Sequence, residues 1–272
     1  MNAAPPIVDL ARELSAGHWA RPLMAPLERL LGIPAVNRLY AQVGGRDLEA
    51  PVFCRAVLEV LGVETSIEPR GLQRLAELQG PVLVTSNHPL GGRDALLLHL
   101  VLGTARSDYR ILANRLLGRI PETRAQLILV DPFGGPQAAS FNRGGLREAL
   151  RWLERGGLLG VFPAGEVSFW QPLEGRVADK PWAPQALRLA EATGATVVPL
   201  HISGSTSPWL QGLARLHPAL KTPCLARELV SGPAKRLEAR LGEPIPALRL
   251  VGRDPEAKAA WLRDRVYALA GA

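Results

Sequence analysis

The sequence predicts an α/β fold: a mixed, largely parallel central sheet flanked by helices, preceded by an N-terminal helical segment. Three observations carry that expectation. From Pro69 onward, stretches with helical apolar spacing alternate with short β-type runs, the pattern of a layered α/β core. Runs such as "LLGVF" and "TVVPLHI" are apolar almost without interruption, as strands covered on both faces must be. A chain of 272 residues at 47% hydrophobic content can also bury one large core, with or without a small appendage. The expected division is 1–66 for the helical segment, read as a membrane-surface contact, and 67–272 for the core.

The elements follow in order. In "PIVDLARELSAGHW", Ile7, Leu10, Ala11 and Leu14 recur at helical spacing. "HWARPLMAPLERLLGIP" places Trp19, Leu23, Leu27, Leu30 and Leu31 on one stripe, with Pro26 expected to open a helix that Gly32-Ile33-Pro34 ends. "PVFCRAVLEVLGV" is a further helix, stopped by Gly62. Helix "GLQRLAEL" then leads to strand "PVLVTS", and helix "DALLLHLVLG" to strand "DYRILA". After strand "LILV", helix "RGGLREALRWLERGG" leads to strand "LLGVFP". Helix "APQALRLAEATG" leads to strand "TVVPLHISG", and "ARELVSGP" reads as an edge strand. "FWQPLEGRVADKPW" has no clear period, and in α/β folds such loops tend to carry function.

Composition excludes several classes. The balance of 32 Lys+Arg against 25 Asp+Glu gives +7, nearly all of the cations are arginine, and the excess lies beyond Gly80. An anionic partner such as phosphate, a phospholipid surface or nucleic acid would suit this balance, and arginine-rich genome composition would produce it too. The charges are dispersed, without Lys/Arg runs or aromatic stacking motifs, which counts against nucleic acid. Cys54 and Cys224 read as buried free thiols in a reducing compartment. The start "MNAAPPIVDLARELS" lacks the regions of a signal peptide, and no apolar run approaches the ~20 residues of a membrane span. The expectation is a cytoplasmic protein that meets a membrane, if at all, by lying on it.

The informative stretch is "NHPLGGRD". A turn needs only its glycines and a helix start only its aspartate, so His88 is surplus to both. On an unbroken helix, six residues turn about 600° and would set His88 and Asp94 on different faces. Pro89 and Gly91-Gly92 forbid that helix, so the loop can fold Asp94 back onto the imidazole. Such a pair fixes one tautomer and leaves the second ring nitrogen as a base. No serine or cysteine adjoins it, which points to a substrate hydroxyl or amine attacking a bound acyl thioester directly. The plainer alternative makes Asp94 the N-cap of "ALLLHLVLG" and His88 a polar loop residue. Three further polar or glycine-rich clusters follow strands, "VDPFGGPQAASFNRGG", "FPAGEVS" and "ISGSTSPW", and should converge with it on one rim.

These residues carry a resemblance. "SNHPLGGRD" resembles the first motif of the lysophospholipid acyltransferase superfamily, the membrane-surface enzymes related to 1-acylglycerol-3-phosphate acyltransferase. There the histidine and aspartate are usually separated by four residues, and here by five. "GVFPAGEVS" resembles the third motif and "VVPLHISG" the fourth, in matching order. The combination of "NHPLGG-x-D" with "FPAGE" resembles a bacterial branch carrying a haemolysin label, whose relatives make ornithine and glycine lipids. The resemblance implies His88 as general base and Asp94 as its partner. The candidate substrate contacts around that pair are Asn87, Gly91, Gly92, Arg93, Asn142, Arg143, Phe162, Pro163, Gly165 and Glu166, the last either orienting the acceptor or tying loops together, with loop amides near Gly91-Gly92 or an arginine at the oxyanion. Acyl-carrier protein or acyl-CoA would be the donor, a lyso-lipid at the inner leaflet the acceptor, and no cofactor or metal is implied.

The departures bear on the acceptor. Ala164 stands where the third motif has glutamate, Val167 where it has the phosphate-gripping arginine, and Asp131 where the second motif has arginine. Arg93, Arg143 and Arg176 are the local candidates for a replacement grip. With the usual arginines absent and Glu166 added, the expected acceptor is an aminolipid, lyso-ornithine lipid favoured and lysophosphatidic acid next. A serine hydrolase using Ser205 is weaker, because "ISGSTS" is not a nucleophile elbow. A metal site of His88, Asp94 and Glu166 has no diagnostic spacing. A basic membrane- or nucleic-acid-binding protein is the non-enzymatic alternative.

Overall fold

The computed structural model describes residues 7–8, 21–132, 134, 136–216, 221–250 and 254–271, with the side chains of 21–23, 136 and 137 outside that description. Trp19, the Leu23 side chain and most of the first expected helix therefore lie outside the described residues. The described strands are β1 (Glu64–Ile67), β2 (Val82–Ser86), β3 (Tyr109–Asn114), β4 (Leu127–Val130), β5 (Leu158–Val161), β6 (Phe169–Gln171), β7 (Arg176–Ala178), β8 (Thr196–Ile202) and β9 (Arg236–Leu241). Seven of them form one sheet in the order β1-β9-β8-β2-β5-β3-β4. Every pairing in it is parallel except β8 with β9. The expected largely parallel α/β architecture is the observed one.

The strand pleat assigns the core to two layers. Val82, Val84, Leu158, Val198 and Leu200 meet the helices at 33–43, 50–60, 69–77 and 92–105. Leu83, Leu159, Val161 and Val197 face the other way, onto the helices at 136–154, 185–193 and 255–268. Successive side chains of a strand point to opposite faces, so an unbroken apolar run serves both layers. All five residues of β2 are buried.

Three elements differ from the sequence expectation. "ARELVS" belongs to a helix, Lys221–Ser231, whose Cys224 and Glu228 are buried at i, i+4 spacing. The edge is formed instead by β1, with β9 between it and β8, and both strands alternate exposed with covered positions. Pro26 lies inside the helix Arg21–Leu30 rather than opening it, at the loss of one backbone donor. Within "FWQPLEGRVADKPW", β6 and β7 pair as a short antiparallel hairpin.

The topology locates the site. The helix after β2 covers one face of the sheet and the helix after β5 the other, and β2 and β5 are neighbours. The chain leaves their carboxyl ends in opposite directions, opening the crevice where α/β sheets bind ligands.

Candidate active site

The loop after β2 is built to bring Asp94 to His88. Asn87 exchanges two 2.8 Å bonds with the main chain of Ile202, pinning the end of β2 to β8. Gly92 N–H donates to the Leu90 carbonyl across Gly91, whose φ of 77° and ψ of −79° make a γ-turn closed to side-chained residues. That turn absorbs the fifth intervening residue. The helix starts at Gly92, so Asp94 lies within its first turn and is not its N-cap. A Cβ on Gly91 or Gly92 would meet Leu225 or Leu229, so the two glycines also seat the Lys221–Ser231 helix.

Asp94 is fully buried. Its Oδ2 lies 3.0 Å from His88 Nδ1 and accepts from Leu90 N–H at 2.8 Å, while Oδ1 accepts from Ala95 N–H at 2.9 Å. The imidazole stacks on Phe162 at the end of β5, with centroids 4.0 Å apart. Burial, the largest single influence, pushes the His88 pKa down, but the charge and hydrogen bond of Asp94, joined by the charge of Asp179, outweigh it and leave it raised. His99 and His201 go the opposite way, each lowered to about 4 chiefly by burial. His99 is core, bonded to Tyr109.

Asp179 escaped the sequence reading. It is fully buried below the hairpin, accepts from His88 N–H at 3.1 Å and Trp182 Nε1–H at 2.8 Å, and receives the Ser168 hydroxyl. Ser168 N–H in turn donates to the His88 carbonyl at 2.8 Å. The hairpin loop therefore holds the main chain of His88 from both sides. Trp182 serves this packing.

The turn after β5 presents Glu166. Gly165 N–H donates to the Phe162 carbonyl with φ of +69°, and Pro163 accepts from Ala183 N–H. Ala164 and Val167 are buried, so neither position faces the rim. Glu166 receives Lys180 at 2.7 Å and Lys221 at 2.6 Å, one on each oxygen. Burial raises its pKa, but the hydrogen bonds and charges of the two lysines prevail and lower it. Its carboxylate is thus engaged by two lysines of the protein itself.

Other expected contacts are placed elsewhere. Arg93 is 1% exposed, and its Nε and Nη1 donate to the carbonyls of Leu229, Gly232 and Ala234, while the buried Nη2 has no partner among the described residues. Asn87 is likewise buried in its β8 clasp. Asn142 is bonded to both main-chain groups of Asp131. That cluster follows β4, three strand spacings or roughly 14 Å from β2. Arg143 is exposed on the helix there, and Arg176 pairs with Glu174 and lies over Tyr267. The Ser205 hydroxyl donates to the Thr206 carbonyl rather than to a histidine.

With Nδ1 held by Asp94, the second nitrogen of the partly exposed ring is the one that can take a proton. The arrangement can activate a hydroxyl.

Comparison with known proteins agrees in kind. A family model described as acyltransferase matches residues 32–270. A lyso-glycine lipid O-acyltransferase of Phocaeicola vulgatus is 29% identical over 229 residues, covering 80% of this chain and 77% of that protein. The protein of the same name from Bacteroides thetaiotaomicron is 28% identical over 225 residues, covering 80% and 79%. Among solved structures, the 1-acyl-sn-glycerophosphate acyltransferase of Thermotoga maritima superposes with a TM-score of 0.50 at 17% identity, covering 92% of this chain and 93% of that one. That last likeness is one of fold.

Proposed function

The chain belongs to the acyltransferase family, within the lysophospholipid acyltransferase superfamily, and on that premise we propose that it esterifies the hydroxyl of a lyso-aminolipid, a lyso-glycine lipid first. The donor is an acyl thioester on acyl-carrier protein or coenzyme A. The observation that carries the reading is the His88–Asp94 pair, buried on the Asp94 side and open on the other. His88 Nε2 removes the proton as the acceptor oxygen attacks the thioester carbonyl. The tetrahedral intermediate then expels the thiolate, which takes the proton back from the imidazolium. Asp94 stabilises that imidazolium and fixes its tautomer. Gly92 N–H is bonded to the Leu90 carbonyl, and Arg93 Nε and Nη1 to the carbonyls of Leu229, Gly232 and Ala234.

The glycine acceptor comes from the relatives' names, and the engaged Glu166 supports it over ornithine, whose extra ammonium would find no free carboxylate there. No helix among the described residues is long and apolar enough to cross a membrane. Contact with the inner leaflet would instead use one patch. Leu27 and Leu30 are exposed on one helix, and Trp209 and Leu216 on the helix Pro208–Leu216. Arg227 joins them, donating to the Leu30 carbonyl and lying over Trp209. Exposed apolar side chains beside an arginine suit an anionic interface. Leu210, 2% exposed, belongs to the core and not to this patch.

The test offers purified protein one acyl thioester with lyso-glycine lipid, lyso-ornithine lipid or lysophosphatidic acid. Preferential acylation of the glycine acceptor is expected. Preference for lysophosphatidic acid would reject the aminolipid reading.

A further inference from the structure

We infer that Lys180 receives the acceptor's carboxylate, at the cluster it forms with Glu166 and Lys221 beside His88. The inference rests on the acyltransferase reading above and narrows its acceptor to one bearing a carboxylate. The main chain places the cluster. Glu166 lies two residues before Ser168, whose N–H holds the His88 carbonyl, and Lys180 follows Asp179, which holds the His88 N–H.

The two lysines are not equivalent. Lys221 is 4% exposed, and its ammonium is committed to Glu166, to the Val167 carbonyl at 2.9 Å and to the face of Phe169 at 4.1 Å. It is a fixed point. The Lys180 side chain is 45% exposed and bonded to Glu166, which leaves donors of its ammonium for a ligand. The space where a Gly165 Cβ would project is open, so no side chain at that position covers the cluster. The charge of the neighbouring Asp179 also acts on Lys221, but that carboxylate is enclosed by His88 N–H, the Ser168 hydroxyl and Trp182, so the charge the cluster presents outward is the Lys180 ammonium.

The chemistry selects the ligand. Glycine joined to a fatty chain through its nitrogen carries a carboxylate and no cation, which complements that charge. A lyso-ornithine lipid carries the same carboxylate and adds a side-chain ammonium, for which Glu166, paired on both oxygens, offers no free partner. A phosphate monoester calls for the bidentate fork of arginine, and Arg93, the nearest in sequence to His88, is bonded elsewhere.

The test uses ligands that cannot turn over. Full-length protein in neutral detergent micelles is titrated with N-acylglycine and with N-acylglycinamide, which lack the hydroxyl, and binding is followed by tryptophan fluorescence. Wild type should bind the carboxylate roughly tenfold more tightly, the worth of one partly exposed charge-assisted bond. Lys180→Gln should bind both ligands alike, and Lys180→Arg should keep the preference. Equal binding by wild type, or an unchanged preference in Lys180→Gln, would overturn the assignment. A general loosening of the loop would weaken both ligands together and leave their ratio intact, which also counts against it. Turnover of lyso-glycine lipid in the same preparation reports on the acyltransferase reading separately.

Discussion

Replacing Asp94 by asparagine separates the two tasks of this buried carboxylate. Oδ2 serves both His88 Nδ1 and Leu90 N–H, and Oδ1 serves Ala95 N–H. An amide has one oxygen. Its best placement keeps that oxygen on the His88 side, setting its NH₂ against Ala95 N–H, so one buried donor loses its acceptor at about 1–3 kcal/mol. The fold should survive with a Tm lower by several degrees, at about 2–4 °C per kcal/mol for a chain near this size. Catalysis should fall further, by roughly 10²–10⁴-fold, because the imidazolium loses its counter-charge.

The pH profile supplies the discriminating readout. A base must be neutral, so the rate falls as pH drops through the His88 pKa. In wild type that limb lies above the ordinary imidazole value of about 6.5, because Asp94 and Asp179 together outweigh burial. Asp94→Asn should move the limb to lower pH. The stability linkage has the same origin: the charged pair's contribution is fully present below about 6.5 and is lost as pH rises through the raised folded value. That dependence should vanish in the variant. A kcat/KM profile from acid to alkaline pH, beside thermal melts at the same points, tests both. An unmoved acid limb with wild-type turnover would refute the reasoning.

Two further perturbations test other parts of the account. Arg93→Met removes three buried charge-assisted bonds to carbonyls and should cost at least about 3 kcal/mol in denaturant unfolding, with the acid limb of activity unmoved. A shifted limb would return Arg93 to the reaction. Leu30→Asp with Leu216→Asp, at positions 55% and 77% exposed, should weaken sedimentation with anionic liposomes roughly tenfold and leave the Tm unchanged, whereas loss of the folded state would mark the patch as packed.

What was legible in the sequence follows from the range of each interaction. β2 and the His88–Asp94 loop are local: an apolar run, then proline and paired glycines that rule out a continuous helix. The fit of five intervening residues was visible only once Gly91 was seen in its γ-turn. β1 has four residues, "ETSI", three of them polar, too few apolar positions to mark a strand in the sequence. "ARELVS" was misread because Leu225 and Leu229 gain their meaning from the glycines they cover, far away in the chain. Glu166 read as available because both its partners are remote in sequence. One clue existed: the chain has only four lysines against 28 arginines, and two of the four converge on Glu166. At the enclosed Lys221, 4% exposed, a compact ammonium fits where a planar fork would not. Asp179 had no such clue, since its partners are the His88 main chain, the Ser168 hydroxyl and a tryptophan, none of them a cation.

The central claim is that His88 activates the acceptor hydroxyl for transfer from a thioester. Its most direct measurement is the initial rate of ester formation on lyso-glycine lipid, followed by mass spectrometry, for wild type and His88→Ala with matched circular dichroism spectra. A rate reduced by roughly 10²–10⁴-fold in a folded variant is the predicted result. A folded His88→Ala protein that forms the ester at the wild-type rate would contradict it.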